Sequence, residues 1–242
     1  MSKRLVLLLS GGIESIVIAA IAAQTEGRRH AVFVDYGQIP RQKELKAVRA
    51  ITREYGIQLE VVTMEVPFLE DHDMLDEGGV IYSNELSEKL GMKPRPQAKA
   101  DRGHVVPYRN LVFSTIAASY AETIGATELW MGFDYRPDLP SRTADKSPAF
   151  VAALEDVLAE GSDSEDLIQV VTPLQGYTKV DTIRRGHLLG VKWNTSWSCY
   201  NAFSLPCGVC AQCLTRKSAF FEAKIDEDVE YCSLEFIQAQ LS

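Results

Sequence analysis

An unbroken apolar run over residues 5–9 leads straight into Ser10, Gly11 and Gly12, and then into a helical pattern that opens at Ile13. No other stretch restricts the fold so far. An apolar run without polar alternation suits a strand covered on both faces of a parallel sheet. Two adjacent glycines permit positive φ and leave no Cβ in the way, so backbone N–H groups can converge on an anion. The helix that follows adds its unpaired N–H groups and the positive end of its dipole. Strand, tight turn and helix in this order predict a phosphate site rather than a plain junction, formed by Leu9, Ser10, Gly11, Gly12, Ile13, Glu14 and Ser15. The stretch has neither the Gly-Lys-Ser/Thr ending of a Walker loop nor a third glycine at the dinucleotide-fold spacing.

The remainder of the chain repeats the alternation. Strand patterns at residues 30–34, 59–63, 128–132 and 168–171 are separated by helical patterns at 14–24, 41–55, 109–124 and 147–159, with a further helix capped by Thr178. This predicts an α/β fold built on a Rossmann-like parallel sheet. Ligands of such sheets lie outside the carboxyl ends of the strands, which directs attention to Val34, Asp35 and Tyr36 as base or ribose contacts. Gly132, Phe133, Asp134, Tyr135 and Arg142 lie in a proline-stiffened loop at another carboxyl end and are expected to meet nucleotide or substrate. Arg109 and Asn110 begin a helix, where a guanidinium works against the dipole unless it clamps a phosphate or carboxylate. Lys179 is misplaced in the same way and is expected at a nucleotide's phosphate tail. Periodicity fails from about residue 66 to 102. Asp71, His72, Asp73 and Asp76 in that segment lack the ligand spacing and turn glycines of a hard-metal loop, so a solvated loop is expected.

With 242 residues, 46% of them hydrophobic, the chain can close one substantial core. The expected division is an α/β domain over 1–192 and a C-terminal metal-binding lobe over 193–242 of the same compact unit. No apolar stretch reaches spanning length, and residues 1–23 lack a signal-peptide cleavage site, which predicts a cytoplasmic protein. A formal net charge of −8 argues against a broad nucleic-acid footprint and favours small-molecule substrates.

Of five cysteines, Cys199, Cys207, Cys210 and Cys213 crowd together, the last three at Cys-x-x-Cys spacing. That pattern is wrong for a secreted disulfide framework and right for tetrahedral thiolate ligation, with structural zinc ahead of an iron–sulfur cluster. Filling all four positions with protein leaves the metal a folding role.

Ser10 to Ser15 resemble the SGGxDS loop of the ATP pyrophosphatase superfamily, with Glu14 where Asp is usual. Together with the stretches 34–38, 106–110, 172–174, 178–179 and 197–213, they are similar to the 7-cyano-7-deazaguanine synthases of queuosine precursor biosynthesis. The resemblance implies a five-stranded Rossmann-like core, structural zinc, a homodimer, and ATP-driven conversion of 7-carboxy-7-deazaguanine with ammonia, through an amide, to the nitrile. It also implies Glu14, Arg109 and Lys179 as the catalytic set. Magnesium accompanies ATP, with Glu14 or Asp35 expected to hold it through water. Two further departures, Tyr108 in place of a glycine and the altered loop from Asp134 to Arg142, fall where the acceptor should bind. They leave room for a relative that stops at the amide or joins the acid to another amine, including one on a protein. A tRNA-modifying ATP pyrophosphatase and a non-catalytic nucleotide sensor are the remaining alternatives.

Overall fold

The computed structural model describes residues 3–67, 74, 75, 81, 106–135 and 144–241. Five parallel strands, β1 (Arg4–Leu8), β2 (Arg28–Asp35), β3 (Gln58–Thr63), β4 (Glu128–Met131) and β5 (Gln169–Val171), lie in the order β3-β2-β1-β4-β5. The central strand β1 pairs on one side with β2, Leu8 opposite Val32, and on the other with β4, Leu8 opposite Met131. Its alternate residues feed two cores. Leu5 and Leu7 face the layer of α1 (Ile13–Ala22) and α2 (Arg41–Glu54), while Val6 joins Val32 and Leu129 beneath α3 (Arg109–Thr123) and α4 (Pro148–Glu160). Each such side chain fully withdrawn from water contributes about 1.5–3 kcal/mol, which is why the run carries no polar alternation.

Because the chain leaves β1 toward β2 and reaches β4 on the opposite flank, the loops after β1 and β4 part company and open a crevice at the carboxyl ends. This is the arrangement the sequence predicted, with element ends shifted by one or two residues. The helix beginning at Arg109 differs in its buried face. The apolar stripe read from Leu111, Val112, Ile116, Ala118, Ala121 and Ile124 is divided: Ala118 and Ala121, with Ser114 and Ala117, form the face buried against the sheet, while Leu111, Ile116 and Ile124 pack at its margin and Val112 is exposed. Small residues let the helix lie close to β4, and the Ser114 hydroxyl approaches the Met131 sulfur at 3.0 Å.

Helix α5 (Lys179–Leu188) starts with the expected cap: Thr178 accepts from the Asp181 amide, and the Asp181 carboxylate accepts from the Thr178 amide. Two helices, α6 (Ala211–Ala223) and α7 (Leu234–Leu241), were not legible in the sequence. Although the cysteine segment has a small core of its own with Met74 and Ile81, α6 also sends Ala219, Phe220 and Ala223 into the main core. The Trp193 and Phe220 rings meet edge to face at 5.1 Å.

Arg216 of α6 holds this junction. Its buried guanidinium donates to Glu227 at 2.6 Å, to the Ser196 hydroxyl at 2.9 Å and to the Trp193 carbonyl at 3.1 Å. Removing one member of a buried charged network leaves the other uncompensated, at a cost of about 3 kcal/mol or more. Arg216→Met is therefore expected to lower the denaturant midpoint by that equivalent, measured by urea unfolding followed by tryptophan fluorescence; an unchanged midpoint would remove Arg216 from the anchoring role.

Candidate active site and metal centre

The turn after β1 has the geometry of an anion cradle. Gly11 sits at φ +82°, a conformation that strains any side chain, and a Cβ there would lie 2.8 Å from the Glu44 carbonyl oxygen. Gly12 caps α1 with no side chain satisfying the helix's first N–H groups. The Ser15 hydroxyl accepts from the Ser10 amide at 2.8 Å and lies 3.1 Å from the Ser10 hydroxyl, which holds the bend closed. Across the crevice Gly132 touches the same helix: a Cβ on it would come within 2.9 Å of the Glu14 Cβ. The two loops at the switch point are thus packed against each other through an absent side chain.

Beside this turn lies a cleft of about 270 Å³. Its phosphate-loop side presents Ser10, Gly12, Glu14, Ser15 and Lys179, and the opposite side presents Tyr36, Arg109, Asn110, Gly132 and Phe133. Lys179 forms an ion pair with Glu14 and lies 3.4 Å from Asp134, whose other oxygen receives Lys146 at 3.0 Å. Two ammonium groups and two carboxylates thus interlock at the mouth of the loop. The Arg109 guanidinium bonds with the Tyr36 hydroxyl, and burial raises the Tyr36 pKa. Unpaired helix N–H groups, two lysines and an arginine that share the lining of one cleft form a site for a polyanion.

Leu9 and Val34 also line the cleft, whereas Gly11 and Ile13 stand behind it, Ile13 in the core. Asp35 turns back to accept from the Gly37 amide at 3.1 Å and does not line the cleft. The Tyr135 carbonyl accepts from Gly176 at 3.0 Å, and its ring forms no part of the lining. Tyr108 caps α3 in the left-handed region, φ +55°, with 75% of its surface exposed outside the cleft. Arg142 lies outside the described residues, as do Asp71, His72, Asp73 and Asp76.

Sequence reasoning missed part of the wall. Glu44, Lys146 and Gln212 line the cleft but carry no signal in the sequence beyond that of ordinary charged or polar residues. Trp197, Ser198 and Tyr200 come from the cysteine segment, and the available signal is their place in the stretch 197–201 that carries the family resemblance. The Trp197 amide donates to the Gly11 carbonyl at 2.8 Å, joining that segment to the phosphate turn.

The sulfur atoms of Cys199, Cys207, Cys210 and Cys213 all lie within 4.8 Å of one another, buried and free of disulfides. Backbone amides converge on them: Asn201 and Cys207 donate to the Cys199 sulfur at 3.3 Å, and Cys210 to the Cys207 sulfur at 3.3 Å. Such N–H···S contacts stabilise thiolates, so the donor set fits a metal ion. Asn201 also clamps Ile81, donating to its carbonyl at 2.7 Å and accepting from its amide at 2.8 Å.

A parallel sheet, a glycine turn leading into an uncapped helix and a cationic cleft at the switch point define a nucleotide-binding α/β protein of the PP-loop class. The family model described as queuosine biosynthesis protein QueC matches residues 4–224. A 7-cyano-7-deazaguanine synthase from Chlorobaculum tepidum is 34% identical over 231 residues, 94% of this chain and 96% of that protein. The one from Thermoplasma acidophilum is 32% identical over 234 residues, 95% and 92% of the two chains. The chain belongs to the QueC family, a family of ligase-type enzymes. No helix among the described residues is long and apolar enough to cross a membrane.

Two outcomes test this geometry. Gly132→Ala should force Glu14 aside at an overpacking cost of about 1–3 kcal/mol, and weaken ATP binding about tenfold in titration calorimetry. Cys210→Ser should yield protein with little bound metal by mass spectrometry of the native chain; full metal content in that variant would dissolve the four-thiolate site.

Proposed function

We propose that the protein uses ATP to activate the carboxylate of 7-carboxy-7-deazaguanine and converts it with ammonia, through the amide, to 7-cyano-7-deazaguanine. The observation that carries the reading is the meeting of the uncapped turn with Lys179, Arg109 and Lys146 in one cleft, in a chain whose relatives bear the synthase name over almost their full length.

A carboxylate is a poor electrophile because its leaving group would be oxide. Transfer of adenylate to the acid replaces oxide by AMP, and each such transfer concentrates negative charge on phosphate and on the acyl oxygen. The free N–H groups of α1 and the Ser10 and Ser15 hydroxyls receive the phosphates, while Lys179 follows the charge to the leaving group. In the free cleft Glu14 and Asp134 occupy Lys179, so an arriving triphosphate competes with them for it. Arg109, from the other wall, orients the acid or its developing oxyanion, and Asn110 supports the nucleotide. Phe133 and Tyr36 offer aromatic edges to a planar ring. Magnesium, if bound, would screen the phosphate charge, and Glu14 is a carboxylate of the cleft that would hold it through water. Zinc fits the four thiolates, holding the segment that brings Trp197 and Tyr200 to the cleft.

Tyr108 favours a second reading. A bulky residue held in the left-handed region costs on the order of 1 kcal/mol, and its exposed ring stands at the helix start that carries Arg109 and Asn110. Under this reading the acid is activated in the same way, but the product is the amide or a conjugate with a larger amine.

Incubation with ATP, magnesium, ammonium and the deazapurine acid, followed by mass spectrometry, separates these readings. Nitrile is the expected product. Amide alone, or an adduct on protein, supports the second reading, and unchanged acid overturns both. Glu14→Ala should reduce turnover at least 100-fold while leaving metal content unchanged, the range expected for loss of a charged group acting in the transition state.

A further inference from the structure

Glu44 is a carboxylate in the wall of the cleft that the scheme above does not use. It stands in the first turn of α2, and its carbonyl oxygen abuts Gly11, which sets the side chain directly beside the phosphate turn. Gln38 fixes its direction: the Gln38 amide nitrogen donates to Glu44 Oε2 at 2.8 Å, while its oxygen accepts from the Tyr36 amide at 3.0 Å. Among the described residues no cationic side chain forms an ion pair with Glu44. Arg109 from α3 faces it at longer range, with Asp35 at the end of β2 and the Tyr36 hydroxyl near that guanidinium. A carboxylate held by a neutral amide, open to a cleft and without an ion-paired cation among the described residues, is an acceptor for a small cation.

The geometry points to Glu44 as the amine subsite: its carboxylate holds an ammonium ion beside the activated acid and takes a proton from it as nitrogen attacks. This inference rests on the acid-activation reading of the cleft. One N–H bond of ammonium breaks and its proton passes to a Glu44 oxygen. The freed electron pair forms the C–N bond, the C–O bond to adenylate breaks, and the second proton shed by nitrogen leaves with AMP. Ammonium is the prevailing form near neutral pH, so without an acceptor only its small unprotonated fraction could react. Burial pushes the Glu44 pKa up to about 7, against the pull of Gln38 and Arg109, which suits a base working at neutral pH.

The same raised pKa carries a stability signature. An acid with a higher pKa in the folded state supports the fold below the unfolded value and loses that support as pH rises through about 7. Glu44→Gln should therefore melt at a higher temperature than the natural protein at about pH 8, with little difference at about pH 4, showing that the variant folds.

The deciding measurement compares ammonium with hydroxylamine, a nucleophile largely unprotonated at neutral pH, in the natural protein and in Glu44→Gln. At about pH 7 the variant's rate with ammonium, relative to its rate with hydroxylamine, should fall about 100-fold or more. The natural protein's ammonium rate should level off above about pH 7, whereas the variant's should keep climbing as free ammonia accumulates. Glu44→Asp should recover part of the ammonium rate. An unchanged nucleophile ratio, or a natural rate with no break near pH 7, overturns the assignment of Glu44. Absence of acid-dependent exchange between pyrophosphate and ATP in the natural protein overturns the activation reading itself, and the amine subsite with it.

Discussion

Burial of β1 on both faces is the constraint on which the rest of the molecule depends. A strand with helices on either side must sit inside a parallel sheet, and parallel neighbours require crossover connections that leave every functional loop at the same end. The partition of Leu5 and Leu7 from Val6 between two cores is therefore also what gathers Ser10, Tyr36, Gly132 and the start of α3 around one opening. The close contact of Gly132 with Glu14 is the local expression of the same topology, since the two loops that diverge at the switch point still share a floor.

Electrostatically, the cleft is a set of charges that neutralise one another. Lys179 and Lys146 are held by Glu14 and Asp134, which keeps the lysines ordered at the mouth of the turn and makes their release conditional on a stronger anion. A triphosphate meets that condition through several oxygens at once. Glu44 stands apart from this exchange, fixed by an amide rather than a cation. Beside the same turn, then, lie lysines paired with carboxylates and a carboxylate held by an amide.

Local signals made the sheet, the phosphate turn and the cysteine cluster legible in the sequence, because each is written in contiguous residues: apolar runs, paired glycines, short Cys-x-x-Cys spacings. Lys179 and Arg109 were legible for a different reason, as cations placed against a helix dipole. What escaped depends on tertiary approach. Glu44 looks like one more charge on the polar side of α2, and only the fold turns that helix start toward the cleft. Of the apolar stripe on α3 only Ala118 and Ala121 lie in the fully buried face, because close packing on β4 selects small side chains over the larger apolar ones nearby. Asp35 accepts from the Gly37 amide, a local turn that the strand pattern does not disclose.

The hydrogen bond from the Trp197 amide to the Gly11 carbonyl makes the cysteine segment a structural neighbour of the phosphate turn rather than an appendage. Its wall residues Trp197, Ser198 and Tyr200 share that position. A chelator or thiol oxidant acting on the segment would thus deform the cleft without ever entering it. In steady-state kinetics it would behave as an inhibitor that no excess of nucleotide could displace.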